Sequence, residues 1–355
     1  MFKTHAVVVT WTLFAIPIVL GAFSTSEYGE LGASAISPSL PPSESLQQFD
    51  PVNADALSPA CKEANSKALG LLHEGRFSEA GKVLSEFLGS LDHSPQNALC
   101  SGVTQSNLAY AFRDVGHNTE AEHAARRSVE SLETSLGLAS PWLCRPLLLL
   151  VRLSLEQGKL RDASAILSRV ESLPLSKHED LALVKGLRGN LLEQSQNLRH
   201  ALIAYRESIA EWEKAGQGSS PDIVPELSNL ALAYEKSGDI TQALATLERA
   251  WHIVDTPSVD ANTRVRLLLA FAATHAKQRD NRRTEGYFQQ AIALLDSVPP
   301  PLRQMDGQAV YQAYQAFLKE KGRNQEVRAI EKRAVALFGP GASSSVVRLN
   351  TLIPK

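Results

Sequence analysis

Asn107 and Asn229 stand in the same four-residue setting, Ser-Asn-Leu-Ala, 122 residues apart. A carboxamide donates and accepts hydrogen bonds at once, so two of them on one surface suit the main chain of an extended peptide, but they supply no nucleophile. Arginines recur along the same chain, and a guanidinium suits a carboxylate through two parallel bonds. Groups that could break a bond are scattered instead. Among nine histidines no pair shows the H-E-x-x-H spacing of a zinc hydrolase, and His117 and His123, six apart across a turn, read as solvated or partly packed rings. There is no G-x-S-x-G elbow and no glycine-rich phosphate loop; Gly186-Leu-Arg-Gly189 falls inside a helical pattern, where its glycines serve packing. The residue types fit binding and not catalysis, and they ask for neither a metal nor a cofactor.

Those groups must be positioned by helices. From Ser106 to Gly137, Leu108, Ala109 and Phe112 share one helical face, Gly116 interrupts, and Ala121, Ala125 and Ser128 share the face of a second helix. This is a helical hairpin, in which alanines let the two backbones approach closely. The same unit recurs with turns at Gly75, Gly116, Gly158, Gln196, Gly238, Arg279 and Gly322, spaced by 41, 42, 38, 42, 41 and 43 residues. Five residues after each turn stand Ala80, Ala121, Ala163, Ala201, Ala243, Thr284 and Val327. Seven residues before it stand Ala68, Ala109, Val151, Gly189, Ala231, Ala272 and Gln315. Two helices per period of about 40 residues predict an all-α solenoid of about seven helix-turn-helix repeats, each burying its faces against its neighbours. Ser94-Pro95, Ser140-Pro141 and Ser220-Pro221 lie before first helices, where serine caps and proline occupies the first turn.

The units SNLAYAFRDVGHNTEA and SNLALAYEKSGDITQA, from Ser106 and Ser228, resemble the tetratricopeptide repeat family, and the long period resembles its kinesin-light-chain variety. The resemblance covers residues 59–338 and implies a right-handed solenoid whose first helices line a concave groove that binds protein segments. In that register the groove gathers Asn65, Asn107, Tyr110, Arg113 and Arg145 from the first three units. Further along it gathers Arg152, Asn190, Asn229 and Arg266, and Lys62 and Lys236 belong to the same face. The expected function is a non-catalytic scaffold that holds a protein or peptide ligand; the alternative is an assembly component that associates with itself through the solenoid.

The ends of the chain are of other kinds. Lys3 precedes an apolar run over residues 6–23, an export signal; 1–24 is either cleaved near Ser24 or kept as a membrane anchor, since 18 helical residues extend about 27 Å. The expected location is therefore periplasmic or extracellular, or membrane-anchored. Residues 25–58, rich in Ser, Pro, Gly and Glu, have no helical period and read as a disordered linker, and 339–355 reads as a tail. Cys61 and Cys100 open neighbouring first helices on one edge of the stack, which leaves a disulfide and free thiols both open; Cys144, beside Trp142, reads as a packed thiol. A formal net charge of -2 argues against a nucleic-acid partner.

Overall fold

The computed structural model describes residues 57–92, 94–255, 261–297 and 304–339. The expectations for the leader, for the linker up to residue 56 and for the tail beyond Gly339 lie outside these residues. Among the described residues the chain forms fourteen helices in seven hairpins. The first three units pair α1 (Pro59–His73) with α2 (Phe77–Ser90), α3 (Ala98–Asp114) with α4 (Asn118–Leu136), and α5 (Cys144–Glu156) with α6 (Leu160–Glu171). Then come α7 (His178–Gln194) with α8 (Leu198–Lys214), and α9 (Val224–Ser237) with α10 (Ile240–Val254). The last two pair α11 (Ala261–Lys277) with α12 (Asn281–Asp296), and α13 (Gln304–Glu320) with α14 (Asn324–Phe338).

All seven expected turn positions adopt the left-handed backbone. The glycines among them have φ from +68° to +85°, and Gln196 and Arg279, which depart from glycine, stand at +61° and +60°. A side chain in this region costs roughly 1–2 kcal/mol through contact of Cβ with the backbone. Gln196 is exposed. Gln196→Gly should therefore raise stability by about 0.5 kcal/mol, once the greater freedom of glycine in the unfolded chain is subtracted. Denaturant unfolding measures it, and a loss of stability would assign the Gln196 side chain a favourable contact.

The small-residue positions are where each hairpin closes. Ala80, Ala121, Ala163, Ala201, Ala243 and Thr284 are fully buried, as are Ala68, Ala109, Val151 and Ala272 on the opposing helices. The last unit is looser, with Gln315 and Val327 half-buried, because among the described residues no further helix packs on it. Twelve residues after the turn, Ser128 and Ser208 each donate 2.7 Å hydrogen bonds to first-helix carbonyls, of Gly102 and Ala182. The Ser-Pro pairs open short 3-10 turns at Pro95–Asn97, Pro141–Leu143 and Pro221–Ile223, one turn ahead of the helices they were expected to cap. In two of them the serine oxygen still accepts from the backbone N–H two residues on, of Trp142 and of Asp222.

First helices of adjacent units pack on one another at all six junctions, whereas each second helix packs chiefly between its own first helix and the next one. The stack therefore curves with its first helices inside. Its core is one long cluster from Leu57 to Phe271, a satellite in the first unit around Leu72 and Leu84, and a separate cluster in the last two units around Phe288 and Tyr311. Among the described residues no helix is long and apolar enough to cross a membrane.

Candidate functional site

The inner face carries the residues expected in the groove, and the structure spends many of them on joining units. Asn65 donates 2.9 Å hydrogen bonds to the Cys61 carbonyl and to Thr104 Oγ1, while Asn107 Nδ2 donates 2.9 Å to Asn65 Oδ1. Both asparagines are fully buried, so they do not face an open groove: α1 and α3 come close enough for the amides to meet each other. Asn229 does the same one step further on, donating 3.1 Å to Asn190 Oδ1, which also accepts 2.8 Å from the Tyr205 hydroxyl. Tyr110 is buried, its hydroxyl donating to the Arg145 carbonyl at 3.1 Å, and burial pushes its phenol up to about 12.

The cations are placed likewise. Arg145 reaches across to Asp180 at 3.0 Å, and Arg113 pairs with its neighbour Asp114 at 2.6 Å. Arg152 is buried, and Arg266, half-buried, reaches Thr263 Oγ1 at 3.3 Å. Burial lifts the Asp114 carboxyl above its ordinary range, against the pull of Arg113. The same cause lifts Glu226, buried on α9 against Gly186 of α7, to about 7, opposed by Arg152.

Sequence reasoning missed the partners that complete these rungs. Lys236 meets Glu193 at 2.7 Å, and Lys277 meets Glu235 at 2.9 Å, with Thr274 donating to the same carboxylate. The signal was present, since Glu193 and Glu235 stand three residues before one turn and Lys236 and Lys277 two residues before the next. At the last junction Glu285 accepts from Arg323 and from the Tyr314 hydroxyl, so every junction holds a polar cross-link as well as apolar contact. At the first junction it is also covalent: Cys61 and Cys100 form a disulfide with Cα atoms 6.0 Å apart. Cys144 is buried and free, and burial raises its thiol well above the ordinary range, which makes it a packed and unreactive group.

Among the buried polar atoms of the first helices that have no hydrogen-bond partner among the described residues are Asn107 Oδ1, Arg113 Nη1 and Glu226 Oε2, all enclosed by the packing between units. No cluster of His, Cys, Asp and Glu among the described residues has the grouping of a metal site.

No family model and no curated protein matches the chain. Solved structures are similar to it in fold. A chain of the APC/C hetero-tetramer Cut9-Hcn1 has a TM-score of 0.52 at 15% identity, over 81% of this chain and 48% of that one, so this chain spans about half its length. BtubC from P. vanneervenii has a TM-score of 0.48 at 18% identity, over 68% and 95% of the two chains. The TPR-like repeats of a Podosopora anserina putative kinesin light chain give 0.42 at 17%, over 56% and 96%. With seven hairpins of one register, inner first helices and small residues at every crossing, the chain is a tetratricopeptide-like α-solenoid.

Proposed function

We propose that the protein is an exported, non-catalytic scaffold that holds a segment of another protein along the inner face of its solenoid. The observation that carries this reading is the inner face itself, a continuous surface of first helices that pack on one another along seven hairpins. An extended segment brings donors and acceptors alternately along its main chain, which suits the part-exposed polar side chains of such a surface. The fold supports it as well, since a stack of hairpins offers a long surface rather than an enclosed pocket. The similar chain of Cut9-Hcn1 is itself part of a hetero-tetramer. Export rests on the Lys3-led apolar run and on the Cys61–Cys100 disulfide, a bond that persists in oxidising compartments.

Affinity capture with the exported chain identifies the partner, and substitutions then locate its surface. Lys62→Ala and Arg266→Ala, whose side chains are part-exposed on first helices, should each weaken binding about tenfold, a loss of about 1.4 kcal/mol. Thr119→Ala, exposed at the start of α4, should leave it unchanged. Full affinity in both groove variants, with capture confirmed, would move the binding surface off the inner face. Asn107→Ala and Asn229→Ala are not suitable probes, because both would also loosen the junctions between units.

A further inference from the structure

The charge of the solenoid is divided along its length. Residues 59–260 carry 20 Lys and Arg against 26 Asp and Glu, whereas residues 261–338 carry 13 against 7. Units one to five are negative and units six and seven positive, and those last two share a core of their own. Their acids are largely engaged: Asp280 by Arg283, Glu285 and Glu326 by Arg323, Glu320 by Lys321, and Asp296 by Arg333. Arg279, Arg282, Lys319, Arg328 and Lys332 are exposed and meet no acid among the described residues. Arg282, Lys321 and Arg323 also line an open cleft of about 690 Å³ between α12 and the end of α13, with Phe317 at its wall. The Lys321 ammonium lies 5.5 Å from the centre of the Phe317 ring, and the carboxylate of Glu285 in the same cleft is already held by Arg323 and Tyr314.

We propose that this basic end binds the acidic segment of residues 24–58 of a second copy, so that copies associate head to tail. The segment carries five Asp and Glu and no Lys or Arg. Within it Phe49 stands beside Asp50, a ring for the cleft and a carboxylate for its basic rim. The segment enters the solenoid at Leu57, at the start of α1, on the edge opposite the turns. The free cations gather near the turns of units six and seven, at Arg279, Arg282 and Lys319. Reaching them within one chain means running back across five first-helix steps of about 8–10 Å and the length of a helix. A second copy has no such restriction. The contact joins unlike surfaces, so each added copy leaves one acidic segment and one basic end available for further growth.

Sedimentation velocity on the exported protein, in detergent if the leader is retained, tests this between about 1 and 100 µM at about 50 mM and about 500 mM salt. The mass should rise with concentration at low salt and return to that of one chain at high salt. A variant with Arg282, Lys319, Arg328 and Lys332 changed to Glu should stay a single chain, as should one with Glu27, Glu30, Glu44, Asp50 and Asp55 changed to Lys. Mixing the two should restore association, because each then offers the charge the other lacks. The second variant lies outside the solenoid, so its effect cannot come from unfolding it. A single-chain mass under all conditions, association that survives either variant, or a mixture that stays apart would each overturn the proposal.

Discussion

Replacing Cys61 and Cys100 together by serine should destabilise the first unit by about 4 kcal/mol, the chain-entropy value for a loop of this size. The bond closes 39 residues of sequence and ties the start of α1 to the start of α3. Apart from that bond, the first unit holds to the second through the Asn65, Thr104 and Asn107 hydrogen bonds and a small apolar satellite. Repeat stacks unfold by unit, so the loss should appear as faster hydrogen exchange in α1 and α2 while α7 to α10 keep their protection. Thiol counting on the denatured, unreduced parent should find one free group, Cys144. Three free thiols, or a variant with parental exchange in α1 and α2, would remove the disulfide from the account of how the stack is closed at this end.

The register of the fold was legible because it depends on spacing, which survives substitution at single positions. Gln196 and Arg279 lack the glycine, yet the 38- to 43-residue spacing placed the turn on them, and both adopt the left-handed conformation that the missing glycine would have taken. The small residues at the crossings were legible for the same reason. The inner face was only partly so. A polar residue on the first helix of an isolated hairpin faces water, and whether it meets a ligand or a neighbour depends on the distance between adjacent first helices. Hydrophobic periodicity does not report that distance. Asn107 and Asn229 were therefore assigned to a ligand, whereas α1 and α7 supply their partners, Asn65 and Asn190. The ion-pair rungs were open to detection, because Glu193 with Lys236 and Glu235 with Lys277 repeat one offset between consecutive units.

Two glycine-to-alanine changes, both inside first helices, should move stability in opposite directions. Helix propensity favours alanine by about 0.8–1 kcal/mol, and Gly70 of α1 should show that gain, since a methyl added there meets nothing within 4 Å. At Gly189 of α7 the same methyl would sit 2.4 Å from the ring of Tyr205, which is fully buried, its hydroxyl fixed to Asn190 and Glu193. That ring has nowhere to turn. Overpacking of this kind costs about 1–3 kcal/mol, so the steric term outweighs the propensity and Gly189→Ala should lose stability on balance. Pairs drawn from the other units show why the glycine is there: seven residues before and nine after the turn stand Ala68 with Leu84, Val151 with Leu167 and Ala231 with Leu247. The sixth unit pairs Ala272 with the ring of Phe288, so a ring at the second position does not by itself exclude a methyl; in the fourth unit it is the closeness of the Tyr205 ring to Gly189 that does. Tyr205→Leu in the Gly189→Ala background should thus recover part of the loss, while Tyr205→Leu alone should destabilise, because it opens a gap over Gly189 and removes one of the donors to Asn190 and Glu193. Simple addition of the two single effects in the double variant would show that the ring and the glycine are not coupled, and would return Gly189 to an ordinary helical position.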